Sequence, residues 1–225
     1  MNILVIGAGG VGASMASIAE TRSFFTQFVL ADISLSRAEE AIALLDDRSK
    51  FVAEQVDARD MGAIKALIQK VKADVVVNAC DPRMNEPIFN AAYEAHCNYI
   101  DMAMNLSEPH ASNPYEEVGS PLGADQLAAD QAWRDRGLLA LVGMGVEPGL
   151  SDVFARYAAD NLFDTIDEIG VRDGADLIVE GHDFAPTFSI WTTIEECLNP
   201  PVIYERERGW FTTEPFSEPE TFTFT

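Results

Sequence analysis

Ile3-Leu4-Val5-Ile6-Gly7-Ala8-Gly9-Gly10-Val11-Gly12 is the stretch that decides the fold of this chain. Four apolar residues, three of them β-branched, read as a short parallel strand buried on both faces. The strand stops at Gly7, and the small, alanine-rich segment from Val11 to Thr21 suits a helix packed close against a sheet. Gly7 permits the tight turn, Gly9 removes a side chain where a pyrophosphate must approach, and Gly12 lets the helix lie on the strand. With Gly10 and Val11 they open a helix whose free N–H groups and positive dipole end favour phosphate. The turn is therefore read as a dinucleotide-binding one.

The next elements repeat the rhythm. Phe28-Val29-Leu30-Ala31 is a second strand ending at Asp32, twenty residues beyond Gly12. An acid there accepts ribose hydroxyls and repels a 2′-phosphate, which favours NAD, with Ile33 beside it at the adenosine end. Arg37, Ser34 and Ser36 keep NADP open, because an arginine just past the strand can hold a phosphate. Ser36-Arg37-Ala38-Glu39 has the spacing of a capping box before a helix through Leu45. Phe51 to Val56 is a third strand. Asp57 follows it, either near the adenine or as a cap, and Asp60 precedes a helix with Ile64, Leu67, Ile68 and Val71 on one face.

Val75-Val76-Val77 marks a central strand whose end, Asn78-Ala79-Cys80, falls where the carboxyl edge of such a sheet meets the nicotinamide side of a cofactor. No base is placed beside Cys80 by any motif, so a nucleophilic role lacks support. A helix over Asn85–His96 and a fifth strand over Asn98–Asp101 follow. Leu106 to Gly123 reads as a long loop, Ala124 to Arg136 as a helix, and Leu138 to Val142 as a sixth strand. The alternation implies right-handed crossovers and a doubly wound parallel sheet, the Rossmann arrangement, in an α/β class protein. Asp101 and Glu147, the second within Gly143-Met144-Gly145-Val146-Glu147-Pro148-Gly149, are the carboxylates placed to orient a cationic amine or move a proton.

After Phe163 the texture changes. Ile166–Val171 and Leu177–Glu180 read as strands, Trp191–Leu198 as a helix, and Pro201–Tyr204 with Trp210–Thr213 as a hairpin around Glu207-Arg208-Gly209. Residues 1–150 are thus expected to form the dinucleotide-binding domain, and 151–225 the beginning of an α+β substrate and dimerisation domain. Thr221-Phe222-Thr223-Phe224-Thr225 alternates like a strand without an ending, and the expectation is that the natural chain continues.

Composition narrows the function classes. The chain has 225 residues and a net charge of −22, which repels phosphate backbones and excludes a basic nucleic-acid surface. It contains no apolar run of about 18 residues, so no membrane span is expected, and no basic leader precedes the first strand. Three cysteines, Cys80, Cys97 and Cys197, and three histidines, His96, His110 and His182, lack metal-ligand spacing, so no metal site or disulfide framework is expected. A cytoplasmic location is the resulting expectation.

With these motifs in place, the chain resembles the saccharopine dehydrogenase-like family, the group of saccharopine reductase, lysine 6-dehydrogenase and carboxynorspermidine dehydrogenase. The resemblance rests on Gly7 to Gly12, Asn98-Tyr99-Ile100-Asp101, Gly145-Val146-Glu147-Pro148-Gly149-Leu150-Ser151 and Trp191-Thr192-Thr193-Ile194-Glu195-Glu196. The family pattern usually has Asp where this chain has Glu147, which leaves that residue's role open. The resemblance implies an NAD(P)-dependent oxidoreductase that moves a hydride to or from the C–N carbon of an amino acid or polyamine, as a homodimer. Two other readings accompany it: a polyamine synthase-type enzyme using NAD as an internal hydride shuttle, and a non-catalytic NAD(P)-binding module.

Overall fold

The computed structural model describes residues 1–172, 178–182, 190–217 and 219–223. Strand β1 (Asn2–Ile6) runs into α1 (Gly10–Glu20), β2 (Gln27–Asp32), α2 (Leu35–Ala43), β3 (Phe51–Gln55), α3 (Met61–Val71) and β4 (Val75–Asn78). A short 3-10 turn, Pro82–Met84, leads into α4 (Asn85–Glu94) and β5 (Asn98–Asp101). Then come α5 (Ala124–Ala128), α6 (Asp130–Asp135), β6 (Ala140–Leu141) and α7 (Leu150–Asn161).

The six strands form one sheet in the order β3-β2-β1-β4-β5-β6, all neighbours parallel. Ile3 faces Phe28 on one side and Val75 on the other, so β1 lies between its partners from end to end. The chain leaves β3, crosses the sheet and resumes beside β1 at β4. That reversal of winding opens a crevice at the carboxyl ends of β1 and β4.

Alternation along β1 explains the two layers of helices. Ile3 and Val5 join Ala16, Ala19, Phe28, Leu30, Ala38 and Ile42 in one core, which carries α1 and α2. Leu4 and Ile6 join Ile64, Leu67, Ile68, Ile88, Tyr99 and Trp133 in the other, under α3, α4 and α6. A strand whose successive side chains are all buried must be apolar throughout, which is why β1 shows no polar alternation. An aromatic group of Phe89, Tyr99 and Trp133, with the Phe89–Trp133 centroids 4.8 Å apart, closes the second core.

Several expected elements differ. Helix α2 starts at Leu35 with Ser34 at its N-cap, because the Ser34 hydroxyl pairs with that of Ser36 at 3.0 Å instead of Ser36 capping the helix. The helix expected over 124–136 is divided at Ala129 into α5 and α6. The sixth strand is only two residues long. Ile166–Val171 has no ladder partner among the described residues and is not a strand. The Leu177–Glu180 strand falls partly outside the described residues, as does the end of the Thr221–Thr225 segment.

The chain divides into two compact units, Met1–Leu106 with Asp125–Ile169, and Ser107–Ala124 with Gly170–Thr225. The boundary expected near residue 150 coincides with the start of α7, which belongs to the first unit. In the second unit, α8 (Ile190–Leu198) precedes an antiparallel hairpin of β7 (Val202–Glu205) and β8 (Gly209–Thr212). Tyr204 and Trp210 pair across it with centroids 5.1 Å apart, a contact that fixes hairpin register. The loop 107–124 is pinned by Glu108 and Ser120, which exchange backbone hydrogen bonds at 2.9 and 2.8 Å. Among the described residues no helix is long and apolar enough to cross a membrane.

Candidate functional site

The first site residues come from the turn between β1 and α1. Gly7 has φ +108°, and its N–H donates to Ala31 O at 2.7 Å, tying the turn to β2. A Cβ on Gly12 would lie 1.9 Å from Gly7 O, so only glycine lets α1 sit this close to the strand end. Gly9 and Gly10 behave differently: a Cβ on either meets nothing within 4 Å. Their open side, with Val11 half exposed beside it, is the space that a dinucleotide pyrophosphate needs. No side chain caps α1. Its first N–H groups therefore remain available to an anionic group, and the turn fits a dinucleotide.

Asp32 ends β2 and is 7% exposed. One carboxylate oxygen accepts from Ala8 N at 2.9 Å and the other from Ser34 N at 2.9 Å, with Arg37 Nη1 3.9 Å away. The acid expected at the ribose thus also braces the glycine turn, and each oxygen keeps one lone pair for a hydroxyl. Ile33 is exposed beside it, and its carbonyl accepts from Gln55 Nε2 at 2.9 Å. Asp57 does not cap a helix. Arg59 grips it through Nε and Nη2 at 2.9 and 2.7 Å, which holds its carboxyl down at about 2. The cap of α3 is Asp60, which accepts from Ala63 N at 2.9 Å.

At the end of β4, Asn78 is 2% exposed and gives Nδ2 to Asn85 Oδ1 at 2.6 Å and to the Tyr99 hydroxyl at 3.3 Å. Its Oδ1 accepts from Cys80 N at 2.9 Å, so the backbone of Asn78, Ala79 and Cys80 is held in one shape against the glycine turn. Ala79 O is 2.6 Å from where a Gly7 Cβ would stand. Burial, then the charges of Asp32 and Asp81, push the Cys80 thiol up to about 12, and its Sγ donates to Ile6 O. A thiol in that state is a packing group and not a nucleophile at neutral pH.

Asp101, at the end of β5, is 1% exposed. Its Oδ1 accepts from Gly143 N at 2.7 Å and Met104 N at 3.1 Å, and its Oδ2 accepts from Gln126 Nε2 at 2.6 Å. The carboxylate is occupied with holding three segments together. Its charge, together with burial, pushes the Tyr99 hydroxyl well above the phenol range, burial being the larger cause. Glu147 is exposed in the loop that follows β6. That loop is sharply folded: Gly149 has φ +132°, a Cβ on it would lie 2.3 Å from Gly145 O, and Asp152 accepts from Gly149 N at 2.9 Å to start α7.

All the sequence-derived positions therefore lie along the carboxyl edge of one sheet, at the ends of β1, β2, β3, β4, β5 and β6. Sequence reasoning missed Gln126, Asn85 and Asn105. Gln126 is 5% exposed, and its Oε1 also accepts from Asn105 N at 2.7 Å, which makes it the link between the β5 loop and α5.

Residues 3–141 match the family model described as the saccharopine dehydrogenase NADP binding domain. The chain belongs to that family. Carboxynorspermidine synthase of Vibrio cholerae is 32% identical over 213 residues, covering 91% of this chain and 50% of the relative. Carboxyaminopropylagmatine dehydrogenase of Synechocystis is 27% identical over 215 residues, covering 96% of this chain and 51% of the relative. The chain spans about half the length of these curated relatives. Among solved structures, saccharopine dehydrogenase (L-Glu forming) of Saccharomyces cerevisiae superposes with a TM-score of 0.53 at 15% identity, over 72% of this chain and 31% of that one. That likeness establishes the shared fold. The glycine turn thus opens an NAD(P)-binding domain of the saccharopine dehydrogenase family.

Proposed function

We propose that this chain forms the cofactor-binding part, and the beginning of the substrate domain, of an NAD(P)-dependent oxidoreductase acting at the C–N carbon of an amino acid or polyamine. The observation that carries the proposal is the Gly7–Gly12 turn at the crevice between β1 and β4, with the shaped loops after β5 and β6 on the same edge. The family match over residues 3–141 and the amine chemistry in both relatives' names support it.

In this reading Gly9, Gly10 and Val11 give backbone N–H groups to the pyrophosphate, Asp32 and Ile33 meet the adenosine ribose, and Asp57 borders the adenine side. Asn78, Ala79 and Cys80 line the nicotinamide end. A bound nicotinamide supplies or receives the hydride. Asp101 is a positioning residue for the loop after β6, and the exposed Glu147 is the carboxylate free to orient an amine or move a proton. The family reading also carries a homodimer and a cytoplasmic location, for which the solution mass tests the first.

Titrating the protein with NADH and with NADPH, followed by cofactor fluorescence, tests the proposal. Saturable binding of at least one is expected, and no binding of either at millimolar concentration overturns it. The Vibrio cholerae relative's name, a synthase, favours one second reading, in which hydride leaves and returns within a cycle. Stoichiometric change in NAD(P)H absorbance with an amine substrate supports the dehydrogenase, and turnover without it supports the shuttle.

A further inference from the structure

Between the ends of β4 and β5 lies a buried polar group in the middle of an apolar core. Asn78, Asn85 and Tyr99 are 2%, 1% and 0% exposed. Asn78 ends β4, Asn85 opens α4 and Tyr99 lies in β5, so three elements meet there. Asn78 and Asp101 are register partners across the β4–β5 ladder, which sets the group beside the carboxylate that holds the loop after β6.

One backbone donor fixes the direction of the whole group. Cys80 N donates to Asn78 Oδ1 at 2.9 Å, so the Asn78 amide turns its Nδ2 inward. That nitrogen donates to Asn85 Oδ1 at 2.6 Å and to the Tyr99 hydroxyl at 3.3 Å. Asn85 therefore presents its oxygen, and its own Nδ2 is left buried with no acceptor among the described residues. An unpaired buried donor lowers stability, and a leucine of similar size at position 85 would avoid it. What the arrangement secures instead is the segment after β4. Ala79 N is held by Ile6 O at 2.8 Å and Cys80 N by Asn78, so both N–H groups at this border of the crevice are pinned.

We propose that Asn85 and Tyr99 are positioning residues for the nicotinamide end of the cofactor site. They hold the Asn78 amide in the orientation that binds Cys80 N, and that bond sets the strand end against which the nicotinamide rests. Both side chains act from beneath the site, without contact to the cofactor. The inference rests on the oxidoreductase reading and adds to it two residues that govern one half of the dinucleotide and not the other.

The test compares a dinucleotide with the same molecule lacking its nicotinamide: NADH with ADP-ribose, or NADPH with 2′-phospho-ADP-ribose, whichever pair the protein binds. Both are titrated calorimetrically into each variant, and urea midpoints are measured alongside. Asn85→Leu should weaken the dinucleotide roughly tenfold, as loss of one ordering hydrogen bond implies, and leave the ring-free analogue within about twofold. Its urea midpoint should scarcely move, because an unpaired Asn78 donor replaces the unpaired Asn85 donor. Tyr99→Phe removes only the longer bond and should show the same selectivity at about threefold. In either variant the emission of bound dihydronicotinamide should shift toward that of the free cofactor. The control Asn98→Ala removes an amide from the opposite edge of the same sheet, where Nδ2 donates to Asp74 O and Oδ1 accepts from Leu139 N, and should change neither affinity. Unchanged dinucleotide affinity in Asn85→Leu, equal loss of dinucleotide and analogue, or the same selective loss in Asn98→Ala overturns the inference. If Asn85→Leu does not fold, Tyr99→Phe decides by the same criteria. Binding of neither dinucleotide by the unaltered protein refutes the oxidoreductase reading, whereas binding with no selective loss in the variants refutes the positioning role alone.

Discussion

The turn after β1 and the loop after β6 are built with the same device. In each, a buried aspartate at the end of the neighbouring strand accepts a backbone N–H from a glycine-bearing turn: Asp32 from Ala8, Asp101 from Gly143. They differ in what happens to the rest of the carboxylate. Asp32 has Ser34 N and, 3.9 Å away, the exposed guanidinium of Arg37 on its other side, so that side borders the surface. Asp101 is closed off by Met104 N and by Gln126. The same residue type in the same structural position is therefore an internal rivet in one turn and, in the proposed reading, the acid that meets the cofactor in the other.

Asp101→Ala breaks the comparison most severely. It strands two backbone N–H groups and the Gln126 amide in a dry site, at a cost of about 3 kcal/mol or more. Asp101→Asn should cost about 1–2 kcal/mol, because its amide would face the Gln126 amide, which Asn105 N prevents from flipping. Asp32→Ala should cost about 1 kcal/mol, since it strands one buried N–H, that of Ala8, while the Ser34 N–H lies nearer solvent. Urea midpoints rank the three, and an Asp101→Ala protein as stable as wild type would dissolve the distinction.

The ligand-facing side of the comparison is sharpened by cofactor affinities. Asp32→Ala should weaken NAD about tenfold or more and NADP less, because a ribose hydroxyl loses a charged acceptor while a 2′-phosphate loses a repulsion. Arg37→Ala should weaken NADP several-fold and leave NAD nearly unchanged. Fluorescence titrations of both cofactors measure this, and an unchanged NAD affinity in Asp32→Ala would remove the ribose role.

The smallest effect concerns the thiols. Burial, ahead of neighbouring carboxylates, raises Cys80 and Cys97 from an ordinary 9.0 to about 12. The folded chain keeps those protons between about pH 9 and 12 while the unfolded chain releases them. Their contribution to stability is thus fully present below pH 9 and is lost as pH rises toward 12. At pH 8 an alkylating reagent should modify the exposed Cys197 first and reach the other two only on unfolding. Mass spectrometry of the modified peptides checks the order.

The parts legible in the sequence were those with a local cause. β1 announces itself by an unbroken apolar run, Gly12 by the helix it must let approach, and Asp32 by its distance from the turn. The parts that were not legible depend on contacts between distant positions. Gln126 meets Asp101 across 25 residues, and nothing in Ala124-Asp125-Gln126-Leu127-Ala128 marks it as a hub. Ser36 has capping-box spacing, yet its hydroxyl is drawn to Ser34, and the cap moves two residues back. Ile166–Val171 has the composition of a strand but no neighbour to pair with among the described residues, and composition alone cannot supply one.

The aromatic group under α4 has an optical consequence. The chain has three tryptophans, and Trp133 is 3% exposed whereas Trp191 and Trp210 are 57% and 59% exposed. A water-borne quencher such as acrylamide should extinguish the two surface indoles and leave a blue-shifted residue of emission from Trp133 alone. That indole touches Phe89, which also lines a cleft with Glu86, Asn105 and Gln126. The quencher-resistant light is thus a built-in, label-free gauge of what happens a single ring away.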